Sequence, residues 1–256
     1  MQEMWKTELT FEEKTEVLEK VIQFCHANLF NEDNKVLQYL QSRGVYDATA
    51  RLFEIGSFPR DPNVLVRFVG KNSLYKCGII SVDKESKDVI SKFNIHELII
   101  PIRDVHGRAV ALMGRSLMSE VDRSNLGLPK YTNTSFKKSK SLFGLNLTKD
   151  LIRAKNKAFV VEGNFDVITA YQNGMKNVVA SSGTFLSKPQ LLLLARYTDD
   201  VRLLFDNDDA GQEASGKILK KYSYDAVNIK AAHLPSNVKD LDEYFRAKAK
   251  NYEKQD

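Results

Sequence analysis

Apolar residues recur three and four apart in the stretch TFEEKTEVLEKVIQFCHANLF, at Val17, Leu18, Val21, Ile22 and Phe24. That spacing places them on one face of a helix. Thr10 stands where it would cap the start, with Glu13 three residues on to close a capping box. NEDNKVLQYLQSRG repeats the pattern as far as Gly44 and YDATARLFEIG as far as Gly56, so two further helices are expected, each ended by glycine. In ELIIPIRDVHGRAVALMGR the period changes. Two apolar runs flank Asp104 to Gly107 as in a β-hairpin, and a polar, basic loop follows from Ser116 to Ser141.

From Lys157 the alternation becomes regular. KAFVV, KNVVAS, DVRLLFD and AVNIKAAHLP have the short apolar pattern of buried strands. Between them, FDVITAYQNG, SKPQLLLLARYT and DAGQEASGKILKKY read as helices, the second capped by Ser187 with Pro189 in its first turn. Strands alternating with helices predict a parallel α/β sheet. The expected fold is therefore α/β, with an N-terminal mixed helical and β-hairpin subdomain over residues 1–150 and a Rossmann-like parallel sheet over 151–256.

The 256 residues, 43% of them hydrophobic, suffice for one large or two modest domains. No apolar run reaches the length of a spanning helix, and MQEMWKTELTFEEK lacks the zones of a signal peptide, so a cytoplasmic protein without membrane partners is expected. Cys25 and Cys77 form no CxxC pair, which leaves no cysteine-rich zinc site within the chain and gives both the reading of buried structural thiols. The net charge is +5, but Pro101 to Lys157 alone holds twelve Lys or Arg against four Asp or Glu. That excess surrounds Tyr131, Phe136 and Phe143, the composition of either a solvated face or a nucleic-acid track.

In a parallel sheet, ligands bind beyond the carboxyl ends of the strands, and acidic residues fall there three times. Glu162 ends the first strand, with Asp166 one turn into the next helix. Asp206 ends the third, with Asp208 two residues on, and Asp240 and Asp242 follow the fourth in PSNVKDLDEYF. Carboxylates brought within ~4 Å repel by about 4 kcal/mol per pair at an effective dielectric near 20. A hard divalent cation would offset this, and Mg²⁺ favours one or two carboxylates combined with substrate phosphates.

VVEGNFDVITAYQNGMKNVVASSGT followed by LLFDNDDAGQEAS resembles the TOPRIM signature, the EG-x-x-D and D-x-D motifs shared by DnaG-type primases, topoisomerases and some small nucleases. The likeness to primases extends upstream, to YLQSRG (Tyr39 to Gly44), IPIRDVHGRAVALMGR (Ile100 to Arg115), PKYTNT (Pro129 to Thr134) and FKKSKSLFGL (Phe136 to Leu145). It runs from about Lys35 to Phe245. What it implies is a TOPRIM subdomain and a primase RNA-polymerase core that synthesises RNA primers on single-stranded DNA from ribonucleoside triphosphates. It assigns Glu162, Asp166, Asp206, Asp208, Asp240 and Asp242 to the metal site, with Mg²⁺ or Mn²⁺ bound and Glu162 either a ligand or a general base. Arg43, Arg115, Lys130, Asn133 and Lys138 match the family's groove for template and nucleotide, and Lys140 stands where another basic residue is common.

The departures are local. Asn207 replaces the glycine usual between the two aspartates and is expected to keep its positive-φ turn, Asp209 replaces a position often basic, and Asn164 one often aromatic or aliphatic. Full primases also carry a zinc-binding module and a helicase-docking domain. Neither fits here, so the expectation is a fragment or reduced form whose partners include a replicative helicase and a separate zinc-binding module. Two rivals use the same residues: a TOPRIM nuclease, in which water attacks phosphorus, and a non-catalytic module that binds DNA or a helicase. A topoisomerase would need a strand-passing tyrosine domain, for which there is no room. His26, His96, His106 and His233 lack ligand spacing, and Trp5 reads as a packing anchor or a base-stacking platform.

Overall fold

Thr10 starts the first helix as its sequence requires: its hydroxyl accepts from the Glu13 amide while the Glu13 carboxylate accepts from the Thr10 amide. The helix, α1 (Phe11–Leu29), buries Val17, Leu18, Val21, Ile22, Cys25 and Leu29. Phe24 is only partly buried, and its ring lies 5.5 Å from that of Phe68. The computed structural model describes residues 8–183, 185–222 and 227–252; Trp5 lies outside them. Two units divide the chain, residues 1–102 with 108–136 and residues 103–107 with 137–256.

In the first unit, α2 (Lys35–Ser42) is capped by Asn34 and closes on Gly44 at φ 74°, with the Val45 amide reaching back to the Leu40 carbonyl. The third helix departs from expectation. α3 (Asp47–Leu52) stops four residues before Gly56, and Glu54 takes the left-handed conformation at φ 51° while the Ile55 amide bonds the Ala50 carbonyl. Gly56 instead belongs to strand β1 (Gly56–Ser57), where a Cβ would stand 2.6 Å from the Cβ of Cys25 on α1. It is a close-approach glycine, not a helix stop. Gly56→Ala is expected to cost roughly 1–3 kcal/mol, read as a lower urea midpoint with an unchanged slope.

Two helices, α4 (Pro62–Val69) and α5 (Lys71–Lys76), precede a small antiparallel pair, β2 (Ile80–Val82) and β3 (Val89–Ser91). Strands β4 (Leu98–Arg103) and β5 (Ala109–Arg115) flank the turn at Asp104–Gly107, where the Gly107 amide bonds the Asp104 carbonyl. The loop expected after Arg115 has structure of its own: a helix, α6 (Glu120–Asn125), and a strand, β6 (Tyr131–Asn133), that returns antiparallel to β5. The resulting sheet has the order β1-β4-β5-β6 and packs Ile99, Ala109 and Leu112 with α1, Phe58, Leu65, Leu74 and Phe93. Cys25 and Cys77 are both free and buried in this core, and burial pushes both thiols up.

The second unit begins with a 3-10 turn at Lys138–Lys140 and α7 (Leu145–Lys155). The predicted alternation follows: β7 (Ala158–Val161), α8 (Asn164–Gln172), β8 (Val178–Ala180), α9 (Lys188–Leu194), β9 (Asp200–Leu203), α10 (Asp209–Lys221), β10 (Asn228–Ala231) and α11 (Leu241–Tyr252). Ser187 caps α9 in a reciprocal box with Gln190. All three strand pairings are parallel, in the order β10-β9-β7-β8. The chain thus passes from β7 to β8 on one side and then back across β7 to β9 on the other. This reversal opens a crevice beyond the carboxyl ends of β7 and β9. Among the described residues no helix is long and apolar enough to cross a membrane.

Candidate functional site

Glu162 and Asp206 leave the two strands that border this crevice, Glu162 directly after β7 and Asp206 three residues past β9. The Asp206 amide points at the Glu162 carboxylate, 3.4 Å from Oε1. Asp208 caps α10 by accepting from the Gly211 amide at 2.9 Å, and Asp240 accepts from the Glu243 amide at 2.7 Å. Asp166, in the first turn of α8, is held at both oxygens: Oδ2 by the Gly163 amide and Oδ1 by the Asp242 amide, each at 3.0 Å. Asp242 is buried, with Oδ1 accepting from the Thr169 hydroxyl at 2.6 Å and Oδ2 3.7 Å from Arg246. Asp166 and Asp242 therefore fix α11 against α8, whereas Glu162, Asp206 and Asp208 keep more of their oxygen surface open.

Burial and mutual repulsion both act on these groups. Burial, followed by the charges of Glu162, Asp240 and Asp208, pushes Asp206 up to about 7. Asp166 also reaches about 7, through burial first and then Asp240, with Asp206 and Asp242 adding to it. Glu162 is raised by burial and by Asp208. Lys239 is the opposing charge, with Nζ 3.6 Å from Asp208 Oδ2 and a lowering effect on both Glu162 and Asp206. Oxygen donors that repel one another in a crevice suit a hard divalent cation. Among the described residues no three His, Cys, Asp or Glu side chains already form a metal-holding group. A site that shares its cation with substrate phosphates needs no such cage.

The substituted loop positions have structural explanations. Asn207 is not among the residues of positive φ; the expected turn conformation is absent. Its side-chain amide donates instead to the carbonyls of Pro235 at 2.9 Å and Val238 at 3.0 Å, tying the loop to the segment before α11. Asp209 is exposed in the first turn of α10, where negative charge complements the helix dipole. Asn164 is buried, accepting from the Ser182 hydroxyl at 2.9 Å.

The predicted basic residues fall in both units. In the first, the pairing of Arg115 with Tyr131 across β5 and β6 sets Nη1 of the arginine 2.6 Å from the phenol oxygen. The Arg115 guanidinium also stands 5.4 Å from the ring centres of both Tyr39 and Tyr131. Arg43 approaches Tyr39 from the end of α2, 5.8 Å from the ring centre. Lys130 lies 5.6 Å from the Tyr131 ring, and partial loss of water, then Arg115, Arg43 and Arg123, push its ammonium below the usual lysine range. Asn133 ends β6 with a buried Oδ1 that has no hydrogen-bond partner. Lys138 and Lys140 lie in the second unit, exposed on the 3-10 turn. There the buried Gln190 amide donates to the carbonyls of Lys138, Ser141 and Ser181, fixing the turn beside the end of β8.

Two family models match the chain, one for the N-terminal domain of the DNA primase catalytic core over residues 24–149 and one for Toprim-like domains over 159–245. The chain belongs to the DnaG-type primase family. The chain is 32% identical over 235 residues to the DNA primase of Aquifex aeolicus strain VF5, matching 90% of itself and 45% of that protein. With the DNA primase of Synechocystis the identity is 33%, over 94% of this chain and 40% of the other. It thus spans less than half the length of these curated relatives. Among solved structures, the zinc-binding and RNA-polymerase domains of the Aquifex aeolicus primase superpose with a TM-score of 0.81 at 28% identity, covering 96% of this chain and 61% of that one. A DnaG primase catalytic domain bound to ssDNA gives 0.77 at 28% identity, over 94% and 80%.

Several further residues that shape the site were given no role from the sequence. Tyr39 and Tyr131 provide the rings between the cations. His96 supports the segment leading into β6 by placing Nε2 2.8 Å from the Pro129 carbonyl, and Lys239 and Gln190 both act beyond the carboxyl ends of the parallel strands, on Asp208 and Ser181. Tyr39 and Tyr131 have a sequence signal in the motifs YLQSRG and PKYTNT, and Lys239 has one as the basic residue directly beside the last acidic pair.

Proposed function

We propose that this chain is the nucleotidyl-transferring core of a primase, joining ribonucleotides into a primer on a single-stranded DNA template. The observation that carries the reading is the pair Glu162 and Asp206 at the reversal of the parallel sheet, where burial and then the charges of Glu162, Asp240 and Asp208 push Asp206 up to about 7. Such crowding stores a demand for positive charge. Glu162, Asp206 and Asp208 would hold Mg²⁺ or Mn²⁺, with Asp240 adding charge nearby. When bound, the ions supply charge neutralisation on the triphosphate and a lowered pKa for the attacking 3′-hydroxyl. Asp166 and Asp242 keep the acidic loops in register through their backbone bonds, and Lys239 balances the carboxylates before substrate arrives.

Arg43, Arg115, Lys130 and Asn133 would bind template or nucleotide phosphates, with Tyr39 and Tyr131 offering faces for bases. Lys138 and Lys140 would do the same from the turn that Gln190 holds. A replicative helicase and a separate zinc-binding module are the proposed partners, the latter supported by the Aquifex aeolicus structure that combines a primase core with a zinc-binding domain.

The test is incorporation of labelled ribonucleotides on single-stranded DNA with Mg²⁺ or Mn²⁺. Labelled product is expected, and the zinc module supplied in trans should increase it. Template cleavage without incorporation would give the site to a nuclease. Metal and strand binding with neither reaction would make it a binding module.

A further inference from the structure

α6 is a helix without a core. None of its six residues is buried, and Val121 and Leu126 at its edges are 69% and 62% exposed. It is held locally instead: the Ser119 hydroxyl accepts from the Asp122 amide and donates to the Asp122 carboxylate, and the Leu128 amide reaches back to the Arg123 carbonyl. Against that exposed background Arg123 is the exception. Its side chain is half-buried, and its Nε is enclosed without a hydrogen-bond partner. No carboxylate pairs with it among the described residues, and it acts instead on Lys130, beside Arg43 and Arg115. A half-buried arginine thus shares, with Arg43 and Arg115, the neighbourhood of Lys130.

That placement is unfavourable for the protein alone, because like charges in partial burial repel and an enclosed N–H is left unbonded. The arrangement becomes favourable when a multiply charged anion enters. We infer that Arg123 completes, with Arg43, Arg115 and Lys130, a four-cation site for phosphate groups, with the Arg123 guanidinium donating to phosphate oxygens. The inference rests on the primase reading for the origin of those phosphates, which belong either to the template backbone or to the triphosphate of the incoming nucleotide. Glu120, one turn before Arg123, partly counters the cluster by drawing Lys130 in the opposite sense.

The experiment compares the full chain with Arg123→Gln and Glu120→Gln. Affinity for a fluorescent single-stranded oligonucleotide is measured across a salt series, and affinity for ATP by displacement of a fluorescent analogue. If strand phosphates occupy the site, Arg123→Gln weakens strand binding about fivefold to tenfold and flattens the slope of log K against log salt by about 0.7, the value for one phosphate contact on a single strand. ATP affinity then stays constant. If the triphosphate occupies it, ATP affinity falls by a similar factor and the strand slope holds. Glu120→Gln should tighten the same ligand. Circular dichroism melts should superpose, since α6 contributes no buried residue. Wild-type binding of strand or nucleotide with Arg123→Gln unchanged in both assays overturns this inference alone. Absence of salt-dependent binding of either ligand by the wild-type chain overturns it together with the primase reading.

Discussion

Glu162→Gln and Asp206→Asn should each lower ribonucleotide incorporation on single-stranded DNA by at least about 1000-fold, since charge stabilisation by a bound cation contributes several kcal/mol and each 1.36 kcal/mol is a factor of ten. Both substitutions preserve shape. In Glu162→Gln the new side chain would retain a carbonyl oxygen for the Asp206 amide, now 3.4 Å from Glu162 Oε1, so the loop loses charge and keeps its contact. Strand binding, proposed to rest on the basic residues rather than on these carboxylates, should change less than about twofold. Asp166→Asn is a different case. Both of its oxygens accept backbone amides, and an amide side chain must turn its NH₂ towards one of them. This variant should lose stability as well as activity, by about 1–3 kcal/mol for the opposed donor pair. Incorporation by Glu162→Gln or Asp206→Asn at more than a tenth of the wild-type rate would remove these carboxylates from the reaction.

The ease with which sequence revealed the fold differed between the two units for physical reasons. In the second, each strand is a short apolar run enclosed by helices, and the caps are local chemistry: Ser187 and Gln190 are three residues apart and need nothing distant to form their box. The acids were legible because strand order places strand ends together. In the first unit the decisive contacts are long-range. Gly44 and Gly56 look alike in sequence, yet one supplies a left-handed turn and the other admits β1 against Cys25. β6 is three residues long with no buried member, so its pairing to β5 left no periodic mark. Asn207 shows the same limit at the site, where a residue expected to act through its backbone acts through its side chain on Pro235 and Val238. Arg123 was counted within the basic segment, but only the fold of α6 turns it towards Lys130.

The carboxylate crevice should also make the metal-free protein less stable as pH rises from about 5.5 to about 8. Asp166 and Asp206 each titrate near 7 in the folded chain against 3.8 as the ordinary value. Between those limits the folded state holds protons that the unfolded state has released, so stability falls with rising pH and the loss is complete above the folded pKa. The two shifts share Asp240 as a cause and do not add independently. A combined loss of about 2 kcal/mol is expected, or roughly 5 °C in melting temperature for a chain of this size. Glu16, Asp61, Asp83, Asp200 and Glu213 all lie below their usual range. They stay ionised across the window and leave the slope unchanged. Asp206→Asn should melt higher than the wild-type chain at about pH 8, by a margin that narrows towards about pH 5.5 and closes only below the ordinary value of 3.8, and millimolar Mg²⁺ or Mn²⁺ should raise the wild-type melting temperature at the higher pH far more than that of the variant. Equal pH slopes for the two proteins would mean that the acids are not in electrostatic contact. A slope abolished in Asp206→Asn, with its metal response lost as well, would tie the repulsion and the cation to the same carboxylate.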